Sequence, residues 1–235
     1  MFDYDAYIEV QRSWRRIIVA GDRRGMLTAV RIDVIDHSVV AAQLTEMRAA
    51  VTERPRFRDL LHRISRTLVY EAARAIPLES ITIETPMGSA TGVELVQQPV
   101  LVPILRSGLG MLDAALEALP HAETGFLGLK RDEATLRPEV YMNTIPPLDG
   151  RSAFLLDPML ATGGSANYAA TQALERGSGE VTLVVLLAAP EGIDAVRDAG
   201  VVDRVVTASI DSHLNDIGFI VPGLGDAGDR QYGVD

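Results

Sequence analysis

Three stretches of this chain place charged residues and glycines where a phosphorylated ligand can be gripped. In LLDPMLATGGS, residues 155–165, an apolar run ends in one carboxylate, Asp157, and a Thr-Gly-Gly-Ser turn follows. In VPILRSG, residues 102–108, an apolar run ends in Arg106. In LGLKRDEATLRP, residues 127–138, another ends in Lys130 and Arg131. Arginine meets a phosphate with two parallel donors and keeps its charge at any working pH. Glycine lets backbone come close to an anion, and a helix N-terminus aims unpaired N–H groups at it. One such site is common. Two arginine-bearing strand ends beside a carboxylate with a backbone cradle suit a ligand with two separated phosphate groups and a sugar diol between them.

The elements that must position these residues follow from periodicity. SAFLL, residues 152–156, is short, apolar and bounded by turn residues, which predicts a buried strand. Pro158 has no N–H for a ladder, so it is expected to end that strand. Ser165 is expected to be the N-cap of a helix through ANYAATQALERG that stops at Gly177. From Pro99 onward, apolar runs (PVLVPIL, TGFLGL, AFLLD, VTLVVLLAA and DRVVTASI) alternate with the helical patterns GLGMLDAALEAL, ANYAATQALE and EGIDAVRDA. Such alternation predicts an α/β fold with a mostly parallel sheet covered on both faces. Ligands in these sheets sit beyond the carboxyl ends of the strands, where Arg106, Arg131 and Asp157 fall. Earlier in the chain, Phe57, Leu60, Leu61, Ile64, Leu68 and Ala72 recur at helical spacing and predict an amphipathic helix.

Composition removes several classes of function. With no cysteine there is no disulfide, thiolate metal site or cysteine nucleophile, which suits a reducing, cytoplasmic setting. A net charge of −10 argues against nucleic acid as the main partner. No apolar run approaches the roughly 20 residues of a membrane span, so no membrane partner is expected. No lysine follows the glycines of the turn as in a Walker loop, the turn lacks the G-x-G-x-x-G spacing of a dinucleotide fold, and no G-x-S-x-G occurs. His37, His62, His121 and His213 are far apart, without the spacing of a metal site, and no metal-ligating set is expected.

With those residues in view, the chain resembles the uracil phosphoribosyltransferase family. The likeness rests on VPILRSGLGMLDAALEALP, RDEATLRP, LLDPMLATGGS, AAPEGI and TASIDSHLNDIGFIVPGLGDAGDRQYG, and spans about residues 30–235. It implies a type I phosphoribosyltransferase fold with a small hood and N-terminal helical part, and transfer of phosphoribose from 5-phosphoribosyl 1-pyrophosphate (PRPP) to uracil. The resemblance places Arg106 on the pyrophosphate, with Arg131 reaching it from a lid. It puts Asp157 on the ribose hydroxyls and Ala161, Thr162, Gly163, Gly164 and Ser165 on the 5-phosphate, with Pro158, Met159 and Leu160 completing the PRPP cradle. Ile220, Gly225, Asp226 and Ala227 would bind uracil, with Asp226 also facing PRPP. Mg²⁺ would arrive as Mg-PRPP. GTP would be an effector, and the protein would be a homodimer or larger homo-oligomer. Two departures from the family pattern stand out: His37-Ser38 where a His-Pro pair is usual, and Phe219 where a tyrosine is common. Two other readings share the fold, a PRPP-sensing regulator and a phosphoribosyltransferase for another base.

Residues 1–25 stand apart as an extension, and 26–235 read as a single phosphoribosyltransferase domain. The extension holds Trp14 and the pairs Arg15-Arg16 and Arg23-Arg24. Apolar residues at positions 4, 7, 8, 14, 17 and 18 are compatible with one helical face. No member of the candidate site lies there. A chain beginning at Met26 is therefore expected to retain UMP formation from PRPP and uracil, with stability or assembly as the properties that change. Loss of turnover in a folded, normally assembled truncation would place chemistry in residues 1–25.

Overall fold

The computed structural model describes residues 17–23, 26–131 and 138–233. Six strands lie side by side and parallel: β2 (Met26–Val34), β12 (Arg204–Ile210), β11 (Val181–Ala188), β9 (Ala153–Leu156), β5 (Val100–Leu105) and β7 (Leu127–Arg131). Antiparallel strands flank them, β1 (Ile17–Arg23) beside β2 and β8 (Pro138–Asn143) beside β7. Alternate side chains of a strand point to opposite faces, so each apolar run feeds two cores. Leu101, Phe154, Leu156, Val184, Leu186 and Val206 pack under α1 (Ser38–Arg48), α2 (Arg54–Ala73) and α3 (Leu109–Ala118). Val100, Val102, Ala153, Leu155, Leu183 and Val185 pack under α4 (Gly164–Glu175) and α5 (Pro190–Ala199). The buried stripe of α4 is Ala166, Ala169, Ala170 and Ala173, which lets that helix lie close to the sheet. The α/β expectation holds, with helices on both faces.

Local differences from the expected pattern have physical causes. TGFLGL is two strands, β6 (Glu123–Thr124) and β7, because the chain steps at Gly125-Phe126. A side chain at Gly125 would lie 2.7 Å from the Ile145 Cα, so only glycine permits that step. The strand through Leu156 ends before Pro158, as expected, but the chain rejoins the sheet directly afterwards. It resumes as β10 (Met159–Leu160) because the Pro158 carbonyl accepts from the N–H groups of Leu186 and Leu187, at 3.0 and 3.1 Å. The N-cap of α4 is Gly163, not Ser165, and its φ of 79° is one that glycine reaches without strain. A hairpin of β3 (Leu78–Thr85) and β4 (Gly88–Leu95) was not foreseen; it is exposed along most of its length. Finally, the helical face expected through positions 17 and 18 is corrected there. Ile17, Ile18 and Val19 form β1, since β-branched residues suit a pleated ladder and β2 offers a full edge. Residues 1–16 lie outside the described residues.

At the amino edge of the sheet, Arg204 is almost fully buried at 2% exposure. Its guanidinium donates to Asp33 Oδ2 at 2.6 Å and to the carbonyls of Ala72 and Glu71, at 2.8 and 3.1 Å. One side chain thus joins β2, β12 and the last turn of α2, whose final carbonyls have no partner within the helix. Removing one member of a buried pair strands the other. Arg204→Met is expected to cost about 3 kcal/mol of stability, the low end for a broken buried pair because Arg31 still reaches Asp33 at 3.0 Å. The drop is read as a lower urea midpoint. Turnover of the folded protein should be unchanged, since the site lies beyond the far end of β12, roughly 20 Å along the strand.

Candidate active site

Parallel pairing sets the strand ends level along one edge, and the chain after β5 lies against the end of β9. Their register runs from Val100 opposite Ala153 to Pro103 opposite Leu156. Gly108 makes the close approach possible: a Cβ there would stand 2.1 Å from the Leu156 carbonyl oxygen. Ser107 is thereby brought onto Asp157, and its hydroxyl donates to Oδ1 at 3.0 Å. Arg106 is exposed at the rim one residue earlier. Asp157 as a residue is partly exposed, and its carboxyl is desolvated by the surrounding protein.

The turn beyond Asp157 is braced from behind. Gly192 at the start of α5 faces the Ala161 and Leu160 carbonyls, and a Cβ there would lie 2.4 and 2.7 Å from them. Asn167 Nδ2 donates to the Ala195 carbonyl at 3.1 Å and ties α4 to α5. Thr162, Gly164 and Ser165 remain exposed at the head of α4. The first N–H groups of that 12-residue helix have no acceptor inside it, so they are available to an anion.

The third part follows β12. Asp211 is buried at 2% exposure and sits at the strand's end, its N–H donating to the Ala188 carbonyl at 2.8 Å. Beyond it, β13 (His213–Leu214) and β14 (Ile220–Val221) form a small hairpin, and PGLGDA leads into α6 (Ala227–Tyr232). Glu191 Oε1 accepts from the Leu214 N–H at 2.9 Å and holds the hairpin to α5. Ile220 and Ala227 are buried, while Gly225 and Asp226 are exposed. The Asp226 side chain caps α6 by accepting from the Asp229 N–H at 2.9 Å. Gln231 closes the arrangement, its Nε2 donating to the Ser107 carbonyl at 3.1 Å and to Ala227 at 2.9 Å. Gly110 leaves it room, since a Cβ there would meet its Oε1 at 1.8 Å.

The structure therefore gathers Arg106, Asp157, the 158–165 turn and the 220–227 loop at one edge. Arg131 is the last residue of β7, and residues 132–137 of the expected lid lie outside the described residues. Three of the four histidines have a local partner. His37 caps α1 by accepting from the Val39 N–H, His62 lies 3.2 Å from Glu117, and His213 pairs with Ser212. Ser38 occupies the first helical position, where proline is well tolerated. Sequence reasoning missed the roles of Arg48, which lies outside the quoted motifs, and of Asp211, Arg230 and Gln231, which lie within residues 207–233 but were not singled out.

The family model for uracil phosphoribosyltransferase matches residues 34–234. A uracil phosphoribosyltransferase from Kineococcus radiotolerans is 51% identical over 210 residues, covering 87% of this chain and all of the relative. One from Corynebacterium diphtheriae is 45% identical over 205 residues, covering 87% of this chain and 97% of the relative. The solved structure of the AQ2163 protein from Aquifex aeolicus superposes with a TM-score of 0.82 at 38% identity, covering 87% of this chain and 99% of that one. The fold is that of a type I phosphoribosyltransferase. The chain belongs to the uracil phosphoribosyltransferase family.

Burial pushes the Asp157 carboxyl up to about 7, helped by the nearby charge of Asp226 and opposed by the hydrogen bonds from Ser107 and Met159. A carboxyl in the unfolded chain titrates near 3.8. Between those values the folded protein keeps a proton that the unfolded chain has lost, so this group's contribution to stability falls as pH rises through the window and levels off above it. Asp157→Asn does not titrate. In ligand-free protein its stability relative to wild type is therefore expected to rise from pH 5 to pH 8, followed by thermal or urea unfolding. A pH-independent difference would show that Asp157 ionises freely in the empty site.

Proposed function

We propose that this protein transfers the phosphoribosyl group of PRPP to uracil, forming UMP and releasing pyrophosphate, a step of pyrimidine salvage. The single observation that carries the reading is the meeting of Arg106, Asp157 with its phosphate turn, and the 220–227 loop at one sheet edge. In this reading the 5-phosphate sits on Ala161 to Ser165 at the head of α4, and Asp157 accepts from the ribose hydroxyls. Arg106 and Arg131 hold the pyrophosphate. Uracil, a flat neutral ring with alternating acceptors and donors, lies against Ile220 and is read by backbone groups of Gly225, Asp226 and Ala227.

The reaction breaks the bond from the anomeric carbon to pyrophosphate and forms one to the ring nitrogen of uracil, whose proton is released. Positive charge grows on the sugar and negative charge on the departing group, so preorganised arginines act where charge develops. No protein nucleophile is required, in keeping with the absence of cysteine and of a G-x-S-x-G elbow in the chain. Magnesium takes six oxygen ligands and keeps several waters. Among the described residues no group of three acidic or histidine side chains converges. Asp157 and Asp226, close enough to sense each other's charge, fit an ion carried chiefly by oxygens of PRPP. Bound there, Mg²⁺ would neutralise charge on the leaving pyrophosphate.

Two further elements of the reading concern regulation and assembly. GTP acts as an effector, and the protein works as a homodimer or larger oligomer. The exposed apolar side chains of the 78–95 hairpin region, among them Leu78, Ile83, Met87 and Val93, support the second. Among the described residues no helix is long and apolar enough to cross a membrane.

A turnover assay with PRPP and a panel of bases, with and without GTP, tests the reading directly. Arg106→Ala and Asp157→Asn should each lower turnover by at least about 10²-fold, the scale of losing a preorganised charge contact. Uracil should exceed cytosine by about 10⁴-fold or more, because cytosine's amino group would leave buried polar groups unpaired. Near-normal turnover in either folded variant would remove these residues from the catalytic set.

A further inference from the structure

The loop assigned to uracil has an internal weakness. A base read through backbone groups is recognised only if that backbone is fixed, yet PGLGDAGD holds three glycines. Glycine loses more freedom on ordering than any other residue. Gly223 and Gly225 have φ values of 59° and 80°, so neither conformation is enforced by a side chain. Something outside the loop must hold it.

Both polar groups of Gly223 are taken by the two members of one ion pair. Its N–H donates to Asp211 Oδ2 at 2.9 Å, and its carbonyl accepts from Arg48 Nη1 at 2.7 Å. Arg48 and Asp211 meet each other through two parallel hydrogen bonds of 2.6 Å. Ser209 adds a hydroxyl donated to Asp211 Oδ1 at 2.9 Å, and Arg48 Nη2 donates back to Ser209 Oγ at 3.2 Å. The Asp211 side chain is fully buried and that of Arg48 is 17% exposed. Arg48 stands on the last turn of α1 and Asp211 at the end of β12, so the pair joins two rigid elements to the loop. Gly223 also abuts the carbonyl of Ile220, 2.1 Å from where a Cβ would be. Whatever fixes Gly223 therefore fixes Ile220, the buried wall of the base site.

We infer that Arg48 and Asp211 are positioning residues for uracil, a clamp on Gly223 that sets affinity for the base while leaving the PRPP half of the site intact. This rests on the reading of residues 220–227 as the uracil loop. The PRPP half is built mainly on other elements, the ends of β5 and β9 and the head of α4; Asp226, the loop residue that also faces PRPP, is held separately as the cap of α6. A general loss of folding would harm both halves, whereas slackening of the clamp harms one.

The experiment compares KM for uracil and for PRPP in wild type, Asp211→Asn and Arg48→Lys, with thermal unfolding measured alongside. Asp211→Asn keeps the shape but must point an amide N–H₂ at Arg48 or at the Gly223 N–H. It should raise KM for uracil at least about tenfold, the scale of one charge-assisted hydrogen bond, with KM for PRPP within about twofold. Arg48→Lys keeps the charge but gives up the two-donor fork, so a smaller rise of the same kind is expected. Should Asp211→Asn not fold, Arg48→Lys carries the same readout. An unchanged KM for uracil in a folded variant, or an equal rise in both KM values, overturns the clamp. Wild-type protein that makes no UMP from uracil would instead overturn the functional reading, so the two failures are distinct.

Discussion

How near the chain after β5 can come to the end of β9 decides what this edge of the sheet can bind. The two strands are parallel neighbours, so their ends are level, but level ends alone do not make a site. Gly108, with no side chain, allows the turn to press on the Leu156 carbonyl. That contact carries Ser107 onto Asp157 and leaves Arg106 at the rim. A methyl group there would separate the arginine from the carboxylate and widen the cleft. In the proposed reading the pyrophosphate and ribose subsites depend on that one backbone contact, and through the Gln231 bond to the Ser107 carbonyl the proposed base loop is referred to it as well.

On the proposed assignment, two kinds of recognition share the edge. The phosphate side uses elements stiff in themselves: a helix head, a turn wedged against α5, and strand ends. The base side uses a loop with little stiffness of its own, supported from outside by side chains. Arg230 shows the extent of that support. Its guanidinium donates to the carbonyls of Met47, Leu224, Ala49 and Thr52, and it lies 4.4 Å from the Phe57 ring. Desolvation lowers its pKa from the ordinary value for arginine. Charge is used here as scaffolding for backbone, because carbonyl groups of a loop can be held only by donors that reach them.

The legible parts of the sequence are those where function and local order coincide. LLDPMLATGGS shows its strand, glycine turn and helix because they follow one another within eleven residues. The alternation of apolar runs and helical patterns is likewise local, and the sheet obeys it. Arg48 and Asp211 were not legible: 163 positions separate them, and a lone arginine in the last turn of a helix looks like an ordinary solvated charge. The 78–95 hairpin was invisible for another reason. Both its faces are largely exposed, so no buried side imposes an alternation of apolar and polar residues. Choosing Gly163 over Ser165 as the cap depended on a backbone angle that composition does not encode.

The order of these elements along the chain bears on how the protein emerges from the ribosome. Every strand of the parallel sheet precedes Asp211, and Arg230 and Gln231 come after all of them. A nascent chain can pair its sheet and cover both faces while the base loop is still being made. During that interval the phosphate end exists and the acceptor end does not. The receptor for the arriving loop is already in place, built from Arg48, Phe57 and the Ser107 carbonyl on earlier elements. The ability to join sugar to base is thus acquired last, when late residues lock onto a surface made first.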